Sequence, residues 1–190
     1  MLLLVGLGNP GSNSANNRHN IGFKIIDAVN AHFKLSKQKP KFKGLLTTGN
    51  IESKKIYAIK PLTFMNNSGT AIKELIDYFK IDAKDVFVFH DDMDIDFGKI
   101  KTKFGGSSAG HNGIDSIDKF IGKDYSRVRI GIGHPKQKNK VNNHVLEDFK
   151  EDEEEKIKEI AENIVKLIPT LIEKKIDLFS SKVNQNLNGI

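Results

Sequence analysis

The sequence predicts an α/β fold: a mixed, twisted β-sheet flanked by helices on both faces, in a single domain over residues 1–190. Three observations carry this expectation. Leu2-Leu3-Leu4-Val5 is an unbroken apolar run that stops at Gly6, the pattern of a central strand covered on both faces. Val86-Phe87-Val88-Phe89 repeats that pattern in mid-chain. Around these runs, apolar residues recur at helical spacing, so strands alternate with helices.

The remaining elements follow in order. Ile21, Ile25, Ile26, Val29 and Phe33 fall on one face of a first helix that begins near Asn20. The lysines at 37, 39, 41 and 43 read as an exposed loop. Residues 45–51 and 56–59 read as two strands joined by a turn at 52–55. A second helix spans 68–79, with Ala71, Ile72, Leu75, Ile76 and Phe79 inward and Ser68 as its N-cap. Residues 100–104 form a strand with exposed lysines, 112–121 a third helix, and 128–132 a further strand. A long helix covers 151–178, interrupted near Pro169, which has no amide to donate. The polar tail from 179 to 190 is expected to fray. Gly105 to Gly110 is rich in small residues and reads as a flexible loop within one domain.

Composition narrows the function. The chain has no cysteine, which excludes disulfides, thiolate catalysis, iron–sulfur clusters and cysteine zinc sites. No apolar run approaches the roughly 20 residues that cross a bilayer. Met1 to Leu7 has no basic region ahead of it and makes a poor signal peptide, so a cytoplasmic location is expected. The formal charge is +6, unevenly spread. Residues 146–162 hold nine acids against three lysines, a net −6, so the remainder carries +12. A basic body points to a polyanionic partner, nucleic acid ahead of membrane.

Polar residues cluster where the strands end. Gly6-Leu7-Gly8-Asn9-Pro10-Gly11 matches the G-x-G-x-x-G spacing of dinucleotide sites. Pro10, the polar stretch after it and the want of an acidic residue ending a second strand argue instead for a tight turn that sets Asn9 at the carboxyl edge of the sheet. His19 lies just before the first helix, where a neutral imidazole could take a proton from water or simply cap the helix. Asn66 and Asn67 precede the second helix and could equally be turn residues. His90-Asp91-Asp92-Met93-Asp94 ends the second apolar strand. It could hold a metal, but adjacent residues on an extended chain point apart, so a lone Asp91 orienting a histidine is the simpler chemistry. Gly110-His111-Asn112-Gly113 opens the third helix, whose free amides suit an ester oxygen or a phosphate. Lys99, Lys101 and Lys103 alternate on one strand, and Arg127 and Arg129 on another, as a charged stripe does.

Taken together, these segments resemble one family, the bacterial-type peptidyl-tRNA hydrolases. The matching stretches are Val5 to Gly11, Arg18-His19-Asn20-Ile21-Gly22, Lys60 to Asn66, Ser68-Gly69, His90 to Asp94, Gly110 to Gly113, Arg127 to Pro135, and Val145-Leu146 before the acidic helix. They lie in register over residues 2 to 180. The resemblance implies cleavage of the ester joining a peptide to the 3′ ribose of tRNA, without metal or cofactor, by a monomer. It implies His19 as the base and Asp91 as the carboxylate that holds it. Asn9, Asn66 and Asn112 then bind substrate and position water, His111 joins them, and Phe64 and Met65 line the pocket. Lys101, Lys103 and Arg129 match positions that meet acceptor-stem phosphates. Three residues depart from the family pattern: Ser14 for a tyrosine, Asn17 for a threonine, and Ala109 for a glycine. The expected effect is on substrate affinity. A non-catalytic RNA-binding scaffold and a metal-dependent phosphohydrolase built on His90 to Asp94 are the competing readings.

Overall fold

The structure, a computed structural model, describes residues 1–135, 137 and 140–189. One seven-stranded sheet organises it, in the spatial order β2-β3-β4-β1-β5-β7-β6. The strands are β1 (Leu2–Gly6), β2 (Lys39–Lys41), β3 (Gly44–Ile51), β4 (Lys54–Pro61), β5 (Val86–Asp92), β6 (Ile100–Phe104) and β7 (Ser126–Gly131). The helices are α1 (Ile21–His32), α2 (Ser68–Phe79), α3 (Asn112–Ile121), a single turn α4 (Val141–His144), α5 (Glu151–Ile172) and α6 (Ile176–Leu187). β1 pairs in parallel with β4 and β5, and β5 with β7, while β2, β3 and β6 join antiparallel.

β1 is fully buried because its alternating side chains enter two cores. Leu2 and Leu4 pack with α1, α5 and α6; Leu3 and Val5 pack with α2 and α3. β5 divides likewise, Phe87 and Phe89 to one side and Val86 and Val88 to the other. The sheet is therefore covered on both faces, as its two apolar runs require. Since α1 leaves β1 on one face and α2 enters β5 on the other, a crevice opens at the carboxyl ends of these strands. Gly6 and Gly22 permit the tight start of α1 there. A Cβ on Gly6 would collide with the carbonyl oxygen of Gly22, and a Cβ on Gly22 with the backbone at Leu7 and Phe89. The glycine motif thus serves helix–strand packing, and α1 begins only at Ile21, outside the motif in sequence though packed against it.

Four local expectations are corrected. Lys39–Lys41 is an exposed edge strand rather than loop, and its lysines and proline suit an edge that must not recruit another chain. The residue preceding α2 is Asn67, and Ser68 opens the helix with its hydroxyl donating to the carbonyl of Met65 at 2.8 Å. Pro169 lies inside α5, which continues to Ile172 before the chain turns into α6. The tail does not fray at 179. α6 reaches Leu187 because Phe179 and Val183 are buried in the core beneath β6, and the Asn184 side chain bonds both backbone groups of Ile100 at 2.9 and 2.7 Å.

Candidate active site

The crevice is a cavity of about 650 Å³ lined by residues from widely separated parts of the chain. Asn9 comes from the turn after β1, His19 from the turn before α1, and Phe64, Met65 and Asn66 from the β4–α2 connection. Asp91 and Asp92 end β5 and Met93 and Asp94 follow it, Ser108 to Asn112 lead into α3, and Asn142, Val145 and Leu146 close the rim. The cavity thus gathers Asn9, His19, Phe64, Met65, Asn66, Asp91, His111 and Asn112 around one space.

Its floor is Asp91, which is 2% exposed. The Oδ1 atom of Asp91 lies 2.7 Å from His19 Nδ1 and 2.9 Å from His111 Nε2. The backbone around His111 assigns its tautomer. The amides of Gly113 and Ile114 donate to His111 Nδ1 at 3.1 and 3.3 Å, so that nitrogen carries no proton and Nε2–H faces the carboxylate. His111 is thereby the N-cap of α3 as well as a donor to Asp91. His19 in turn donates Nδ1–H to Asp91, which leaves Nε2 as the lone-pair nitrogen available to the cavity. Burial opposes ionisation of Asp91, but the His111 and His19 rings and their hydrogen bonds outweigh it and hold the carboxyl below the usual carboxylate range. The same tautomer speaks against a metal here. The His19, Asp91 and His111 donor atoms lie within 4.8 Å of one another, near enough for an ion. Ligation through His111 Nε2 would move a proton to Nδ1, opposite two amide N–H groups that already donate to it.

His90 points inward. It is 3% exposed, its Nδ1 donates to the Asp91 carbonyl at 2.8 Å, and its ring packs edge-on against His111. Burial above all, then the neighbouring His111, pushes its imidazole down to about 3. It is a neutral structural ring behind the site, which removes it from the cluster that a metal reading of His90 to Asp94 would need.

Asn9 is held by three bonds. Its backbone amide donates to Asn20 Oδ1, Asn20 Nδ2 donates back to its carbonyl, both at 2.9 Å, and its own Oδ1 accepts the Met65 amide at 2.8 Å. With Oδ1 engaged, Nδ2 is left as a donor for the cavity. The side chains of Asn66 and Asn112 are exposed in the cavity wall and make no hydrogen bond among the described residues. Phe64 is 69% exposed and Leu146 52%, an apolar rim open to a ligand. Asn20, beside His19, holds the backbone of Asn9 in place, a role that sequence reasoning missed.

The cations fall in two environments. Lys101 lies across from Arg129, and Lys103 across from Arg127, so all four share one face of β6 and β7. Arg129 is half-buried and its Nε donates to Asp92 Oδ2 at 2.8 Å, which ties it to the cavity rim. Arg127 is buried, pairs with Asp118 at 3.0 Å and donates to the carbonyls of Gly106 and Ser107. It braces the loop before α3 and leaves the stripe. In that loop Ala109 has φ of 50°, a left-handed conformation that glycine adopts without steric cost.

A buried carboxylate that fixes a histidine's tautomer at the floor of a cavity, on the carboxyl edge of an α/β sheet, is an arrangement that can serve general-base hydrolysis. The peptidyl-tRNA hydrolase family model matches residues 3–189. The chain is 72% identical over 184 residues to a peptidyl-tRNA hydrolase of Pelagibacter ubique, covering 97% of this chain and 99% of that one. It is 44% identical to that of Bartonella henselae, covering 100% and 98%. The crystal structure of peptidyl-tRNA hydrolase from Acinetobacter baumannii superposes with a TM-score of 0.90 at 34% identity, over 97% of this chain and 94% of that one. The chain belongs to the peptidyl-tRNA hydrolase family.

Proposed function

We propose that the chain hydrolyses the ester joining a peptide to the 3′ end of tRNA, with His19 as general base and Asp91 as the group that orients it. The observation that supports this most directly is the pairing of His19 Nδ1 with buried Asp91 at 2.7 Å on the cavity floor. His19 Nε2 takes a proton from water as the water oxygen bonds to the ester carbonyl carbon. The carbonyl oxygen becomes an oxyanion, met by amide N–H donors from Asn9, Asn66 and Asn112. Collapse of the tetrahedral species breaks the bond to the 3′ oxygen, which receives the proton from His19. Base assistance of this kind contributes about 10²–10⁴-fold. Asp91 keeps its negative charge throughout and stabilises the imidazolium that forms.

The substrate explains the rest of the lining. Side-chain amides bind a peptide backbone without reading its sequence, and Phe64, Met65 and Leu146 offer variable side chains an apolar wall. Lys101, Lys103 and Arg129 bind phosphates of the tRNA acceptor stem. Arg129 uses only Nε toward Asp92, which leaves its terminal nitrogens for phosphate. No helix among the described residues is long and apolar enough to cross a membrane. The chain works as a monomer in the cytoplasm without a metal.

The test is hydrolysis of an N-blocked aminoacyl-tRNA by wild type and His19→Ala, with and without EDTA, beside the free-amine aminoacyl-tRNA. Cleavage of the blocked substrate alone, resistant to EDTA and lost in folded His19→Ala, is expected. A folded protein that binds tRNA without cleaving it would be a binding scaffold, and loss of activity in EDTA would remove the metal-free mechanism.

A further inference from the structure

The acidic segment after the cavity rim is bound to the turn that carries the base. His19 donates its backbone amide to the Val145 carbonyl at 2.8 Å, and Arg18 its own to Glu147 at 3.0 Å. The Arg18 guanidinium, 5% exposed, reaches along the same segment. Its NH1 donates to the Glu147 and Asp148 carbonyls at 3.2 and 2.6 Å, and its NH2 to Glu153 Oε2 at 2.8 Å. Asn17 adds a side-chain bond to Asp148 at 2.7 Å. Glu153 does two things with one oxygen: Oε2 also accepts the Lys150 amide at 2.7 Å and so caps α5. The far side of this strap, Val145 and Leu146, walls the cavity.

We propose that Arg18 is a positioning residue for His19, locking the backbone of the base to residues 145–153 so that the imidazole and the cavity wall move as one unit. The proposal rests on the reading of His19 as the base. The guanidinium is buried, and among the described residues its two terminal nitrogens bond only to the strap. Lysine has a single nitrogen and cannot reach two carbonyls and a carboxylate together. Loosening the strap tilts His19 against Asp91 and the ester, and misplacement on the order of 1 Å can cost about 10²-fold in rate. The acidic start of α5 is thus the counterion of Arg18, and Asn17 is a second tie through Asp148.

The test measures kcat and KM on an N-blocked aminoacyl-tRNA, per folded molecule, for Arg18→Lys, Glu153→Gln, their combination, Lys24→Gln and His19→Ala. Glutamine still accepts the Lys150 amide, so Glu153→Gln keeps the helix cap and removes only the negative charge facing Arg18. Lys24 pairs with Glu154 at 3.2 Å in the same α1–α5 contact and serves as the control. Arg18→Lys is expected to lower kcat by about 10²-fold with KM within about threefold, and Glu153→Gln by about tenfold. The double variant should lose no more than Arg18→Lys alone, and Lys24→Gln should keep wild-type kcat. Wild-type kcat in both Arg18→Lys and Glu153→Gln, with only the melting temperature lowered, overturns the proposal, as does an equal loss in Lys24→Gln. If Arg18→Lys does not fold, Glu153→Gln decides alone. Activity in His19→Ala would fell the base reading itself, whereas an inactive His19→Ala beside unaffected Arg18 and Glu153 variants fells only the positioning role.

Discussion

Asn9 Oδ1 accepts the backbone amide of Met65 at 2.8 Å, and this bond joins the first glycine turn to the opposite wall of the cavity. It also decides which end of the amide the substrate meets. Asn9→Asp keeps the acceptor and loses the Nδ2 donor. We expect it to fold within about 1 kcal/mol of wild type and to lose activity by about 10²-fold, as removal of an oxyanion donor does. Urea unfolding and single-turnover hydrolysis check the two halves. A variant of wild-type activity would show that Nδ2 contributes nothing to the reaction.

His19→Ala should reduce kcat by about 10²–10⁴-fold while tRNA binding stays near normal. Asp91→Asn should cost a similar factor, because an amide no longer stabilises the imidazolium and can offer its N–H to Nδ1, turning the ring to the wrong tautomer. Filter binding and rapid-quench assays separate affinity from turnover. Retained turnover in either folded variant would remove that residue from the mechanism.

Stability should fall as pH drops from about 6.5 toward 3 through His90. Its folded value of about 3 lies below the ordinary 6.5 of histidine, so the unfolded chain binds the extra proton throughout that window and acid favours unfolding. Asp91 acts in the same direction only below the ordinary carboxylate value, near pH 3.8, because its folded form is held lower still. The urea midpoint measured at pH 7 and pH 5 should therefore differ in wild type, and the difference should shrink in His90→Asn. An unchanged difference would assign the pH dependence to other groups.

Lys101→Ala, Lys103→Ala and Arg129→Ala should raise KM for tRNA substrates and each reduce the salt slope of binding by about 1, with kcat at saturation unchanged. Arg127→Met should act on stability instead, since it strands Asp118 in the buried pair, a loss of about 3–5 kcal/mol. Fluorescence titrations over a range of salt distinguish the two. Equal salt slopes for Lys103→Ala and wild type would remove Lys103 from the phosphate contacts.

The sequence by itself determined the layered sheet, because Leu2 to Val5 and Val86 to Phe89 must be buried on both faces, and it determined the family through several motifs in register. It also pointed to Asn9, His19 and Asp91, since polar residues that end buried strands gather at one edge of such a sheet. Only the tertiary structure decided how they act. The sharing of one Asp91 oxygen by His19 and His111 depends on a helix cap twenty residues downstream, and no local pattern encodes which nitrogen that cap occupies. Arg127 and Arg129 are two residues apart on one strand with the same side-chain direction, yet α3 and its Asp118 cover the first and leave the second open. Nothing within the acidic run marks Glu153 as the partner of Arg18, which lies buried against it from 135 residues away in sequence. Periodicity reports which side of an element is covered; partners that meet across the fold are set by packing, which no single segment contains.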